Sequence, residues 1–307
     1  SDFMSKLTLL CVIVISVISF APRQALCATD EDIALSFYPQ SLIDEFARFG
    51  ADGESLNKQV STGRVGSLLI AAYSNRFSGA IRVIQTAGSP SVVDEVNTDT
   101  YRLGGANASL RLLDLDGDGT PEVIVRYSFM RLDEDWVFKL KDNHLVFIGP
   151  AIQNRGCVLS IAQNAEYVDV DGDGTLELLV PPAGHTSETL TTIYKLTSTG
   201  FTPSVEKILF RDRLVRDTAS PEDYDTVVFA QAGKNYTVRL VNGGRDGKNA
   251  VTSALVTVNG TVLFTPNDFK PKQHLLQVPF VAKAENTVTV TVSGAPGSEL
   301  LFLILPQ

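Results

Sequence analysis

The chain has 307 residues, of which 44% are hydrophobic and 20% charged, so it is long enough for two domains with substantial cores. This composition excludes a largely disordered protein, and 23 Gly and 14 Pro suit turn-rich β structure. The formal net charge of −9, without any cluster of Lys and Arg, argues against nucleic-acid binding because nothing is available to neutralise phosphates.

The N-terminal residues predict a signal peptide over residues 1–27, including a short leading extension. Its apolar run has 14 residues, fewer than the roughly 20 that span a bilayer. Small residues near Cys27 predict cleavage just before Ala28 or Thr29. Lipidation of Cys27 is the alternative, although Gln24 stands where a lipobox has Leu. We therefore expect a secreted, periplasmic or cell-surface protein that associates with a membrane only if Cys27 is lipidated.

Residues 28–65 are predicted to form an N-terminal helical segment. One short amphipathic helix is expected after Pro39, ended by Gly50. Its apolar face comprises Leu42, Ile43, Phe46 and Phe49. We expect this helix to cover the β structure that follows; the alternative is a helix that binds a partner.

Residues 66–210 read as consecutive short strands in three units, and two of the units contain the same acidic loop. The loops run from Asp114 to Glu122 and from Asp169 to Glu177, with a spacing of 55 residues between their first positions. Each reads Asp-x-Asp-Gly-Asp-Gly-Thr-x-Glu, with carboxylates at positions 1, 3, 5 and 9. This spacing is typical of a propeller blade.

The acidic loops predict two calcium sites. Four carboxylates repel one another unless a cation lies among them, and hard oxygen donors suit Ca²⁺. Glycines at positions 4 and 6 allow a sharp turn, and the main-chain carbonyl of the threonine at position 7 can complete the ligand set. The predicted ligands are Asp114, Asp116, Asp118, Thr120 and Glu122 in the first loop, and Asp169, Asp171, Asp173, Thr175 and Glu177 in the second.

Two other interpretations of the loops are open. An EF-hand needs Glu at position 12 and flanking helices, but that position is Val125 in one loop and Val180 in the other, within β-branched and aliphatic runs. A polar hairpin turn without a metal is the second alternative. Repetition of the whole pattern, ninth carboxylate included, favours the calcium interpretation.

Loops of this form between two strands resemble the FG-GAP and VCBS repeats of bacterial surface proteins, which are related to the calcium-binding blades of integrin-type β-propellers. The resemblance implies that the side chains at positions 1, 3, 5 and 9 bind the ion. Integrin-type loops more often carry Asp at the ninth position, so it stays open whether Glu122 and Glu177 bind through one oxygen or two. A closed propeller needs at least four blades, so three units predict an incomplete or divergent β-propeller.

The C-terminal part is predicted to be a β-sandwich over residues 226–307, joined by a charged, Pro-containing linker over residues 211–225. The sandwich region alternates apolar and polar residues, and Asn259-Gly260 predicts a hairpin. The last apolar run, ending at Leu305, is expected to be a buried strand. The region resembles a C-terminal module common in secreted bacterial repeat proteins.

Catalytic constellations are not found in the sequence. The three histidines, His144, His185 and His274, have no spacing that indicates a zinc site or a catalytic triad. Cys157, the one cysteine outside the signal region, lies in an apolar run and is expected to be an inert thiol.

The sequence therefore predicts a mainly β protein with blade-like antiparallel FG-GAP-type repeats, a β-sandwich and a short N-terminal helix. We expect a non-enzymatic, secreted or surface calcium-binding protein, in which Ca²⁺ at two sites rigidifies the repeats. Its partner would be an extracellular or surface protein or a glycan. The alternatives are a secreted hydrolase with unrecognised catalytic loops and a structural component of an envelope or matrix.

Overall fold

The computed structural model confirms a mainly β protein of antiparallel four-stranded sheets, with two α-helices in the described part. The signal region, Gly50, His185 and the side chain of Cys157 lie outside the described residues. Within the described residues, neither helix is long and apolar enough to cross a bilayer. The structure describes residues 28–49, 56–75, 78–98, 107–129, 132–149, 166–182, 189–218, 220–244, 247 and 249–307, and the short backbone segments 153–154, 157–158 and 161–162.

Two helices precede the sheets, where the sequence predicted one. Helix α1 (Asp30–Ser36) starts with a capping box, in which the Thr29 side chain accepts from the Asp32 amide and the Asp32 carboxylate accepts from the Thr29 amide. Helix α2 (Gln40–Phe49) corresponds to the predicted amphipathic helix. Pro39 separates the two because the residue before a proline disfavours helical backbone angles.

The repeat region forms three main sheets, each built on four strands that follow one another in the chain, and sheet 2 gains a short fifth strand. Sheet 1 contains β1 (Gln59–Val65), β2 (Leu68–Ser74), β3 (Gly79–Gln85) and β4 (Ser91–Thr98). Sheet 2 contains β5 (Asn107–Leu113), β6 (Glu122–Phe129), β7 (Leu132–Lys141) and β8 (His144–Gly149). The pieces β9 (Gln153–Asn154) and β10 (Cys157–Val158) pair with each other, and β11 (Ile161–Ala162) pairs with β7. Sheet 3 contains β12 (Glu166–Val168), β13 (Glu177–Val180), β14 (Thr191–Thr197) and β15 (Gly200–Ile208).

Eight further strands make two sheets that face each other. They are β16 (Phe210–Val215), β17 (Glu222–Phe229), β18 (Asn235–Asn242), β19 (Ser253–Val258), β20 (Thr261–Phe264), β21 (Leu275–Val281), β22 (Glu285–Ser293) and β23 (Glu299–Pro306). Sheet 4 has the order β16-β23-β18-β21 and sheet 5 the order β17-β22-β19-β20. The predicted hairpin joins β19 to β20, with positive φ at Asn259 and Gly260. One shared hydrophobic core fills the space between the two sheets.

Alternating side chains show how the layers are stacked. One face of β2, which includes Leu69, packs against α1 and α2, and the opposite face, which includes Ile70, packs against sheet 2. Sheet 2 turns Val125 towards sheet 1 and Ile124 towards sheet 3. Sheet 3 in turn packs on the outer face of sheet 4 through a separate cluster.

The layers therefore follow the order helices, sheet 1, sheet 2, sheet 3, sheet 4, sheet 5. In a closed propeller, the outer faces of sheets 1 and 3 would pack against further blades. Here the helices cover one of these faces and sheet 4 covers the other, so the three blade-like sheets form an open series.

The structure differs from the sequence prediction at the expected linker, residues 211–225. Most of this segment lies in β16 and β17, which are edge strands of sheets 4 and 5. The charged residues Asp212 and Arg213 are exposed, and Arg213 pairs with Glu299, whereas Leu214 enters the core between the sheets. Edge strands tolerate charge, so a charged strand resembled a linker in the sequence.

A second difference concerns the N-terminal segment, residues 28–65. Its last part is not helical, because β1 begins at Gln59 and pairs with β2 along its whole length. The sequence of β1 is polar and contains Gly63, so it shows little of the alternation that marks a strand. Only pairing with the apolar β2 identifies it.

Candidate metal centres in two repeated loops

Each acidic loop joins the first two strands of its sheet. The first loop connects β5 to β6 and the second connects β12 to β13. Glu122 is the first residue of β6 and pairs with Leu113, and Glu177 is the first residue of β13 and pairs with Val168. The flanking strands confirm the strand-loop-strand setting that the sequence predicted.

In the first loop, backbone amides hold the carboxylate of Asp114. The amide of Gly117 donates to Asp114 Oδ1 at 2.7 Å, and that of Gly119 donates to Oδ2 at 3.1 Å. Both glycines have positive φ, 77° and 87°, which glycine adopts without steric cost. The glycines at positions 4 and 6 therefore make the sharp turn that the sequence predicted.

The second loop repeats this pattern bond by bond. The amides of Gly172 and Gly174 donate to Asp169 Oδ1 and Oδ2 at 2.6 and 3.0 Å. Their φ angles are 76° and 88°. Equal sequence therefore produces equal local geometry in two different sheets.

The ninth residue of each loop closes it from the strand side. Glu122 Oε2 accepts from the Leu115 amide at 2.6 Å, and Glu177 Oε2 accepts from the Val170 amide at 2.8 Å. Both glutamates are almost fully buried, with 2% and 1% exposure. Each glutamate thus reaches back across its loop and faces the aspartates.

Three of the predicted ligands in each loop come together. Carboxylate oxygens of Asp114, Asp116 and Glu122 lie within 4.8 Å of one another, and so do those of Asp169, Asp171 and Glu177. The fifth-position aspartates lie outside these groups. Asp118 Oδ1 accepts from the Thr120 amide, and Asp173 Oδ1 from the Thr175 amide, each at 2.7 Å. Metal binding by these two aspartates and by the threonine carbonyls stays a prediction.

Burial, and after it the neighbouring negative charge, changes the acid-base properties of the two glutamates. Burial raises the pKa of Glu177 to about 7, and the charges of Asp171 and Asp173 act in the same direction. Burial also raises the pKa of Glu122, helped by Asp116 and Asp118. These carboxylates are therefore costly to ionise in the folded chain without a cation.

A lysine faces each cluster, and the sequence analysis did not identify it. Lys139 forms an ion pair with Asp116, and its Nζ lies 3.5 Å from Glu122 Oε1. Lys195 forms the matching ion pair with Asp171. Burial opposes ionisation of Asp116, but the bond from Lys139 lowers its pKa overall. The signal was present in the sequence, since Phe-Lys-Leu and Tyr-Lys-Leu end equivalent strand segments in the two repeats.

The donor set fits a hard divalent cation. Every clustered side chain offers carboxylate oxygens, which Ca²⁺ prefers over nitrogen or sulfur donors. A divalent ion would also offset the repulsion from the neighbouring aspartates, which adds to burial in raising the pKa of Glu122 and Glu177. The residues present are therefore chemically suited to calcium.

The solved structures that are similar to the chain include the following three enzymes, each at low identity. The first is the M60 catalytic domain with the CBM51-1 and CBM51-2 domains from Clostridium perfringens ZmpB, with 11% identity, coverage of 84% of this chain and 32% of that chain, and a TM-score of 0.23. The second is fructofuranosidase from Schwanniomyces occidentalis complexed with fructose, with 7% identity, coverage of 81% and 70%, and a TM-score of 0.24. The third is fructan 1-exohydrolase IIa from Cichorium intybus, with 8% identity, coverage of 84% and 73%, and a TM-score of 0.27.

These structures correct the expectation of a non-enzymatic protein. The similar chains are enzymes by name, so the exclusion of catalysis that the sequence supported is withdrawn. The chain spans about a third of the length of the first of them. Identities and TM-scores this low carry no argument for a particular activity.

The comparison with protein families concerns the loops themselves. No curated protein matches the chain. The FG-GAP-like repeat family matches residues 114–180, a segment that begins at the first aspartate of the first loop and ends just after the second loop. Residues 114–180 therefore carry an FG-GAP-like repeat, set within three blade-like antiparallel sheets.

Proposed function

We propose that the protein is a secreted or surface-exposed calcium-binding module, in which one Ca²⁺ in each acidic loop fixes the repeat region for binding a protein or glycan. The observation that carries the proposal is the pair of equivalent carboxylate clusters, Asp114, Asp116 and Glu122 with Asp169, Asp171 and Glu177. Two independent loops with the same bonds support a common ligand. The FG-GAP-like match over both loops supports the same assignment.

Calcium would act on structure through charge. Each cluster combines two aspartates with a nearly buried glutamate, and a divalent cation would neutralise their mutual repulsion. Asp118, Asp173 and the carbonyls of Thr120 and Thr175 would supply further oxygens. Since each loop connects two paired strands, fixing it would also fix the strand ends and the loop surface that a partner contacts.

Calorimetric titration and thermal unfolding of the chelator-stripped protein test the proposal. Two Ca²⁺ should bind, and each site should stabilise the fold by about 2.7 kcal/mol when free Ca²⁺ is a hundredfold above Kd. Ca²⁺ should raise Tm more than Mg²⁺, whose strict octahedral geometry fits an irregular oxygen site poorly. A folded, stripped protein that takes up no Ca²⁺ would show that both loops are polar turns.

Single substitutions assign the ions to the loops. Asp116→Ala and Asp171→Ala should each remove one bound Ca²⁺ and part of the Tm shift, and the double variant should not respond. Asp212→Ala is the matched control, because this aspartate is exposed on the edge strand β16, outside both clusters. Loss of both ions from one single variant would point to one shared site.

The nature of the partner needs a separate test. A glycan array and a broad hydrolase screen on the same calcium-loaded protein distinguish binding from turnover. Calcium-dependent retention of a glycan without turnover supports the binding role. Turnover of a glycan would mean that the protein is an enzyme and not only a binding module. Retention of a glycan without calcium would mean that the acidic loops do not support the binding surface.

A further inference from the structure

Lys139 and Lys195 occupy equivalent places in sheets 2 and 3. The pairing of Val123 with Phe138 on β6 and β7 brings Lys139, one step further, opposite Glu122. The pairing of Leu178 with Tyr194 brings Lys195 opposite Glu177 in the same way. The register of the strands therefore places one lysine ammonium group beside each acidic loop.

Both lysines contact carboxylates that belong to the candidate metal clusters. Lys139 pairs with Asp116 Oδ2 and lies 3.5 Å from Glu122 Oε1, and Lys195 pairs with Asp171 Oδ2. Their side chains are 37% and 40% exposed. Each ammonium thus sits at the edge of its cluster, on a flexible stem with a path to solvent.

We propose that Lys139 and Lys195 are displaceable counter-ions that hold the loops in the metal-free protein and compete with Ca²⁺ for the same carboxylates. This inference rests on the proposed calcium function. The ammonium group of the lysine already neutralises part of the negative charge of its cluster. The binding free energy of Ca²⁺ is therefore less favourable while the lysine stays in place. The lysines would therefore weaken calcium affinity and keep the empty loops folded.

Replacing each lysine by methionine tests this role, since methionine keeps an apolar chain of similar length and removes the charge. Lys139→Met and Lys195→Met should each bind Ca²⁺ about tenfold more tightly at one site, an effect expected from removing one nearby positive charge. Without calcium, both variants should melt at lower temperature than the wild type. Titrations are run at constant ionic strength because surface charges are screened by salt.

Matched controls remove a lysine from the same two sheets without touching a cluster. Lys141→Met changes an exposed residue at the end of β7, and Lys207→Met changes a residue of β15 whose Nζ donates to Thr192 Oγ1. Both carry the same change in net charge. Their calcium affinities should equal that of the wild type, and equal tightening in the controls would mean that net charge, not displacement, is responsible.

A second measurement does not depend on the variants folding. In the wild-type protein, calcium should shift the NMR signals of the Lys139 and Lys195 side chains towards those of solvent-exposed lysines. If the wild type binds Ca²⁺ while these signals and the variant affinities stay unchanged, the displacement proposal is wrong and the calcium function stands. If the wild type binds no Ca²⁺, the calcium function itself fails.

Discussion

Glu222 anchors the loop that joins β16 to β17. Its Oε1 accepts from the amides of Asp217 and Thr218 at 3.1 and 2.8 Å and from the Thr218 hydroxyl at 2.8 Å. The Tyr224 hydroxyl donates to Oε2 at 2.9 Å. These bonds, led by the Thr218 amide, lower the pKa of Glu222 from 4.5 to about 2. The ionised carboxylate therefore favours the folded state.

Glu222→Gln should destabilise the protein near neutral pH and have little effect in strong acid. A depressed pKa gives stability that is present above the unfolded-state value of 4.5 and is lost as pH falls towards about 2. Urea unfolding midpoints across this range should show the wild type and the variant converging as pH falls. A difference that is constant with pH would mean that the charge of Glu222 contributes nothing.

At the scale of the elements, the second residue of each acidic loop connects its sheet to the next layer. The side chain of Leu115 is fully buried between sheets 2 and 3, and its carbonyl accepts from the Leu176 amide at 2.7 Å. Val170 packs against sheet 4, and its carbonyl accepts from Arg239 at 3.4 Å. The ninth-position glutamates accept from the amides of Leu115 and Val170. Each candidate metal loop therefore also holds the contact between its sheet and the next layer.

Leu115→Ala should lower the free energy of unfolding by about 2–5 kcal/mol, the usual loss for a buried leucine. Leu255→Ala is the matched control, since Leu255 is 39% exposed on sheet 5, and it should cost under about 1 kcal/mol. Urea unfolding measures both. Equal losses of unfolding free energy in the two variants would show that the contact of Leu115 between sheets 2 and 3 contributes no more than an exposed leucine.

At the scale of the whole molecule, the layers share their faces, so the boundary of the C-terminal unit depends on packing. Sheet 4 uses Leu240 and Phe302 in the core with sheet 5, and Leu301 and Leu303 in the cluster with sheet 3. This double burial explains why β23 is an uninterrupted apolar run. The strand β16 belongs to this unit, since it pairs with β23 and supplies Leu214 to the core.

A fragment of residues 209–307 should therefore unfold cooperatively at higher urea than a fragment of residues 221–307, which lacks β16. Circular dichroism during urea titration measures both midpoints. The longer fragment also keeps the bond from the Leu209 amide to the Ile304 carbonyl, at 2.8 Å. Equal midpoints would mean that β16 adds nothing to the C-terminal unit, and the boundary would return to the start of β17.

The sequence by itself determined the features that depend on neighbouring residues. Glycine positions defined the turns of both loops, and the alternation of apolar residues predicted most strands and the hairpin at Asn259-Gly260. Such signals are local because backbone angles and side-chain alternation are set within a few residues. For this reason the turns of both acidic loops and the mainly β fold class could be predicted from the sequence.

Only the tertiary structure decided the features that join distant residues. The polar strand β1 is defined by its partner β2, and the charged strand β16 by its place at a sheet edge. Lys139 and Lys195 reach their clusters across strands, 23 and 24 residues after the aspartates they pair with. Pairing and layer order depend on which faces bury apolar surface together, a choice that no single segment of the chain contains.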